Sequence, residues 1–184
     1  AEAGEPCLVF VKARREAWRG AEQLSRRLAL PAAAATIEIL RGLAPTRSRD
    51  LLLRTCETGA AFHSADLLPE ERRAVEAGFR AGEIKALVAT NTLATGMNLP
   101  ARNVFLSSDK WIYDPGLDLP WRSPISQGEF ENMSGRAGRF GSGADYGRAL
   151  LVAASPFDQD SLWRRYVKGL REGAAANEIT HVYG

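Results

Sequence analysis

Histidine is nearly missing from this 184-residue chain, which has only His63 and His181. Cysteine is as scarce, with only Cys7 and Cys56. Two histidines, one of them four residues from the end, leave no catalytic base of the kind a nucleotide-sugar-type α/β enzyme requires. Two cysteines without metal-ligand spacing exclude a zinc framework, so no metal site is expected, and free buried thiols of a reducing cytosol are. No apolar run is long enough to span a bilayer, and no basic-then-apolar signal opens the chain, so no membrane partner is expected and the location is read as cytoplasmic. No Gly-Lys dipeptide occurs, which removes any phosphate loop of the G-x-x-x-x-G-K-[S/T] kind. Lysine is rare, 4 against 20 arginines, and the abundance of alanine makes genome base composition the simpler cause. The formal net charge of +2 is too balanced for bulk charge to argue for a polyanionic partner.

What is present is an ordinary globular composition, 45% hydrophobic and 25% charged, of a length suited to one domain. Short apolar runs predict strands at Cys7–Val11, Gly59–His63, Ile84–Ala89, Arg102–Leu106 and Arg148–Ala153. Between them lie helical patterns. One covers Arg15–Leu30, and two more fill 32–58, broken near Gly42–Pro45, with Thr46 or Ser48 capping the second. Another runs from Pro69 to Gly82, one starts at Ser126, and the last starts at Ser155. Alternating strands and helices predict an α/β domain with a central, mainly parallel sheet, covering 1–173, with 174–184 as a linker or tail. Residues 108–125 read as a long loop whose Trp111, Tyr113 and Trp121 pack it onto the domain, the alternative being stacking on bases.

Two stretches carry chemistry. After the third strand, Ala89-Thr90-Asn91-Thr92-Leu93-Ala94-Thr95-Gly96-Met97-Asn98-Leu99-Pro100-Ala101 gathers hydroxyls and amides where a strand turns. Such a turn favours phosphate, or equally caps its own backbone. The second stretch is Asn132-Met133-Ser134-Gly135-Arg136-Ala137-Gly138-Arg139. Placed on a helix from Ser126, it sets Phe130, Met133 and Ala137 on one stripe and Asn132, Arg136 and Arg139 on the opposite one. The planar guanidinium can clamp phosphate oxygens in two places, although a solvated helix face would show the same pattern. In a parallel sheet, ligands bind beyond the carboxyl ends of the strands, and the polar clusters are expected there.

Together these stretches resemble the second RecA-like domain of a superfamily 2 helicase of the DExH, Ski-like type. Residues 89–101 resemble its motif V and Asn132–Arg139 its motif VI. Leu8-Val9-Phe10-Val11-Lys12-Ala13-Arg14-Arg15 resembles motif IV, and Phe62-His63-Ser64-Ala65-Asp66-Leu67 with Pro69–Arg73 resembles the segment before motif V. The four lie in order over residues 7–155 and imply a RecA-like three-layer fold. The resemblance implies that Arg139 is the arginine finger on the γ-phosphate of ATP and Arg136 its partner. Asn132, where the family usually has Gln, would orient the nucleophile or bridge the domains. Gly96 and Asn98 would line the nucleotide cleft. Thr90 and Thr92, with Arg14, Arg15 and His63 as further candidates, would contact the backbone of single-stranded or partly duplex nucleic acid. Asp66 departs from the Gly often found there and would repel a phosphate. No Asp-Glu pair is present to hold Mg²⁺. ATP and Mg²⁺ would therefore be bound mainly by the first RecA-like domain of the same protein, and this chain is expected to be one motor half of a helicase, inactive alone. The alternative is a catalytically incomplete, stand-alone nucleic-acid-binding or regulatory module.

Overall fold

The computed structural model describes residues 5–28, 30–90, 99, 101–114, 119–138, 146–153 and 155–168, with the backbone alone at 111–114 and 119–121. Five strands form one parallel sheet: β1 (Cys7–Val11), β2 (Ala60–His63), β3 (Ala86–Thr90), β4 (Asn103–Leu106) and, later in the chain, Arg148–Leu151. Between β4 and that last strand, β5 (Asp109–Asp114) and β6 (Leu119–Pro124) make a separate antiparallel pair, so Arg148–Leu151 is β7. The sheet order is β2-β3-β1-β4-β7. Every residue of β2 and β3 is buried, which is why these strands read as continuous apolar runs rather than as alternation.

From β1 the chain moves outward to β2 through α1 (Arg14–Arg27), α2 (Ala34–Arg41) and α3 (Arg47–Cys56). It then returns through α4 (Pro69–Arg80) to β3 and passes over β1 to β4 and β7. Right-handed crossovers put α1 of the outward journey and α4 of the return on opposite faces, which gives the three-layer domain expected from the sequence, while α2 packs on α4, Thr36 lying against Gly78. On one face Ala17 and Ala21 of α1 are fully buried, and the side chain of Val88 lies where a Cβ on Gly20 would come within 3.1 Å. Small residues therefore let α1 lie flat on β3. At the sheet margin Thr46 caps α3, its hydroxyl accepting from Arg49 N at 3.0 Å, as the sequence predicts. The same hydroxyl donates to the buried carboxylate of Glu71 on α4, which also accepts from Ser48 Oγ at 2.8 Å and Leu68 N at 3.0 Å.

The stretch 108–125 is not a loop. It is the β5–β6 hairpin, with Asp109 opposite Pro124 and Tyr113 opposite Pro120. Antiparallel pairs alternate between bonded and non-bonded, so two prolines four residues apart both turn their missing N–H to the outside, where a two-stranded ribbon tolerates them. The hairpin is followed by α5 (Gln127–Ser134) and, after β7, by α6 (Pro156–Leu162) with a π-helical run, Trp163–Lys168. Tyr166 on that run is fully buried, stacks on Phe130 with ring centroids 5.0 Å apart, and donates its hydroxyl to Ile125 O at 2.7 Å. Both cysteines are free, and burial pushes both thiols up to about 12, so neither is a thiolate at neutral pH. Among the described residues no helix is long and apolar enough to cross a membrane.

Candidate nucleotide and nucleic-acid edges

The direction of α5 determines where its functional residues go. Its first residue follows Ser126, whose hydroxyl accepts from Glu129 N at 3.2 Å while Glu129 accepts from Ser126 N at 2.7 Å, the reciprocal cap the sequence predicts. Just before it, Ile125 N donates to Ser108 O at 3.1 Å, beside the carboxyl end of β4. At the far end, Ala101 N donates to Arg136 O and Gly138 N to Ala101 O, both at 3.0 Å, just before β4 begins. The helix thus runs antiparallel to β4 and carries the Gly135–Gly138 turn to the amino end of the sheet. That corrects the expectation that every polar cluster stands at the carboxyl ends.

A second correction concerns Arg136. Phe130 and Met133 are buried and Asn132 is exposed, so the amphipathic split holds along the helix. The helix ends at Ser134, however, and Gly135 caps it, so Arg136 lies in the following turn and not on the outward stripe. It is only 8% exposed and is engaged within the domain. The reason is the turn itself. Gly138 adopts φ +78°, and a Cβ there would come within 2.6 Å of Gly147 N. A Cβ on Gly147 would come within 2.0 Å of Gly138 N. Two backbones therefore touch where only glycine fits, and that contact folds Ala137 onto Ala101 as an isolated bridge. Arg139 lies outside the described residues, as do Gly96, Asn98 and Thr92.

Sequence reading missed the neighbours of this turn. Glu5 accepts from Asn103 Nδ2 at 3.0 Å and pairs with Arg102 at 3.3 Å and Arg148 at 3.6 Å. The ring of Tyr146 lies 5.0 Å from the Arg102 guanidinium and 5.2 Å from that of Arg148. The available signal was a charged residue at the mouth of each apolar run, Arg102 before β4 and Arg148 opening β7.

At the carboxyl ends the other candidates gather. Arg14 and Arg15 follow β1 as the exposed first residues of α1, and Thr90 ends β3 largely buried. Arg14 Nη1 bonds Asp66 Oδ1 at 2.6 Å. Lys12 binds Asp109, which also holds Arg122, so the base of the hairpin is tied to the end of β1. Burial raises the pKa of Asp109, but Lys12 and Arg122 outweigh it and hold the carboxyl below its ordinary range. His63 is buried and paired within the domain. It ends β2, which is buried on both sides, so it is 5% exposed and its Nε2 lies 3.0 Å from Glu76 Oε1 on α4. Burial holds its pKa below the ordinary histidine range against the upward pull of Glu76, and Nδ1 has no hydrogen-bond partner among the described residues.

A parallel sheet of this order, with an arginine-bearing turn at one edge and basic residues at the other, is the architecture of the second RecA-like half of a superfamily 2 helicase motor. The chain belongs to the helicase conserved C-terminal domain family, whose model matches residues 1–141. It is 46% identical over 132 residues to the ATP-dependent DNA helicase Hel308 of Pyrobaculum calidifontis, covering 68% of this chain and 18% of that protein. The Hel308 proteins of Methanocella arvoryzae and Pyrococcus horikoshii are 36% and 37% identical over 174 and 172 residues, each alignment covering 90% of this chain and 23% of the relative. The chain spans about a fifth of the length of these curated relatives.

Proposed function

We propose that this domain is the second motor half of an ATP-dependent DNA helicase. DNA is preferred to RNA because the similar proteins bear the name of DNA helicases. The observation that carries the reading is the course of α5, which links a basic carboxyl edge to an arginine-bearing turn at the amino edge. One edge suits a nucleic-acid backbone and the other a nucleotide. A guanidinium suits the phosphates of ATP, and Arg136, held in the turn after α5, is the described candidate at that edge. In this reading Mg²⁺ is held mainly by the first RecA-like domain of the same protein.

When bound, ATP supplies the free energy of phosphoryl transfer. In this reading Arg139 and Arg136 neutralise the charge developing on the γ-phosphate, and Asn132, exposed on α5, orients the nucleophile or bridges to the opposite wall. Gly96 and Asn98 line the nucleotide cleft, while Thr90, Thr92, Arg14 and Arg15 hold the strand. His63 is assigned to support, through Glu76, and not to contact. The free thiols support an intracellular, reducing location. In the protein that carries both motor halves, Arg139→Ala is expected to keep ATP binding and lower strand-stimulated hydrolysis about 10³-fold or more. Near-normal turnover would remove Arg139 from this role. Strand binding with no hydrolysis in the unmutated protein would favour a regulatory module instead.

A further inference from the structure

The carboxyl edge contains its own competitor for the strand. Because β3 lies between β1 and β2, Arg14 after β1 and Asp66 after β2 reach each other across the end of β3. Their contact is a single one, Nη1 to Oδ1 at 2.6 Å, and the two side chains are 62% and 58% exposed. Nothing in the core needs this pair, and water has access to both partners. Arg15, the next residue, is exposed and has no ion pair among the described residues. Of two adjacent arginines at the mouth of the sheet, one is therefore masked by a carboxylate and the other is open.

We propose that Asp66 is a charge latch on Arg14, occupying the guanidinium in the strand-free state and being displaced by a backbone phosphate. The inference rests on reading this edge as the strand path. A carboxylate and a phosphodiester are alternative anionic partners for one guanidinium, and they repel each other if both approach it. The latch therefore lowers resting affinity without removing the contact, and lets the strand leave Arg14 without exposing an uncompensated charge. An exposed pair of this kind is worth at most about 1 kcal/mol, so the penalty on strand affinity is about three- to five-fold at low salt. It shrinks as salt screens the pair.

The test measures binding of a labelled single-stranded deoxyoligonucleotide to the 184-residue chain by fluorescence anisotropy at two salt concentrations. Asp66→Asn keeps an oxygen that can accept from Arg14 but removes the charge, and is expected to tighten binding about three- to five-fold at low salt. In an Arg14→Ala background the same change is expected to have no effect, whereas in an Arg15→Ala background the gain persists. An equal gain with Arg14 absent would mean direct repulsion of the strand, and would overturn the latch. Weaker binding by Asp66→Asn would make Asp66 a support for Arg14, and would overturn it too. Absence of salt-sensitive binding by every variant, with thermal midpoints unchanged, overturns the strand-path reading itself and the latch with it.

Discussion

Adding one methyl group at Gly138 or at Gly147 tests whether the shape of the arginine turn matters to catalysis. At Gly138 an alanine meets two obstacles. Its φ of +78° is a conformation costing an L-residue about 1–2 kcal/mol, and its Cβ would come within 2.6 Å of Gly147 N and 3.0 Å of Gly147 Cα. Both contacts are with backbone, so no rotamer relieves them, and overpacking of this kind adds about 1–3 kcal/mol. At Gly147 only the second obstacle exists, because its Cβ would come within 2.0 Å of Gly138 N. Each substitution must separate two strands of chain by roughly an ångström, and the piece that moves carries Arg136. A displacement of that size at the guanidinium proposed to meet the phosphates would cost on the order of 100-fold in rate. In the protein carrying both motor halves, Gly138→Ala and Gly147→Ala are each expected to lower strand-stimulated ATP hydrolysis by about 100-fold, with oligonucleotide affinity within about two-fold of the parent. Both should lower the thermal midpoint, Gly138→Ala through its positive φ and Gly147→Ala through the closer clash, with three backbone atoms within 2.5 Å of its Cβ. The decisive residue is Gly147, which lies outside the helicase motif. If Gly147→Ala hydrolyses ATP normally, the contact between the two glycines does not shape the site.

Two further predictions concern the support beneath the carboxyl edge. His63 has a folded-state pKa below the ordinary value, so the unfolded chain binds the extra proton first. Stability is therefore complete above about pH 6.5 and falls as pH drops toward the lower folded-state value, by at most about 1.4 kcal/mol per unit. Thermal midpoints measured from pH 7.5 to pH 5 should show the slope, and His63→Gln should flatten it; an unchanged slope in that variant would clear His63 of the effect. Glu5, Asp109 and Glu129 are shifted down, so their contributions are lost only at more acid pH, outside this window. Glu71→Ala removes the acceptor of two hydroxyls and one backbone N–H in a buried site, and is expected to cost about 1–3 kcal/mol. That corresponds to a thermal midpoint lower by several degrees, and a shift of under one degree would mean the three donors find other partners.

The middle of the sheet was legible in the sequence because β2 and β3 are buried at every residue, and a doubly buried strand has to be written as an apolar run; β1, with alternate residues buried, is apolar throughout as well. Cys7–Val11 is both the run that the sequence shows and the strand that forms. Helix starts were legible where a cap is a side chain, as at Thr46, Ser126 and Ser155. Tertiary pairing was not. His63 reads as a polar residue at a functional edge, and only α4 folding back beneath β2 turns it toward Glu76, 13 residues away. Pro115, Pro120 and Pro124 argue for a loop, because local preference cannot show that both paired prolines fall on the outer side of a ribbon. Helical periodicity carried one turn too far placed Arg136 in solvent, since the contact that ends the pattern comes from Gly147.

The position of α5 connects these observations to the motor. Its amino end is clamped from three sides. Ile125 bonds Ser108, Tyr166 bonds Ile125, and Lys110 Nζ reaches both oxygens of Glu129 at 2.7 Å. Its carboxyl end leads into the turn that holds Arg136. Eight helical residues span only about 12 Å, and a helix does not shorten under load. A strand that shifts the base of the hairpin must therefore move the rod or break the clamp. Lys110 is, among the described residues, the one side chain of the hairpin in that clamp, and its pair with Glu129 is partly exposed, so its worth is about 1 kcal/mol or less. In the protein carrying both motor halves, and on the function proposed above, Lys110→Ala is accordingly expected to lower the stimulation of ATP hydrolysis by DNA about three- to five-fold, leaving unstimulated hydrolysis and strand affinity within about two-fold. The substitution touches neither edge directly. A variant with full stimulation would show that the signal between the edges does not pass through α5, whatever the arginines do at its end.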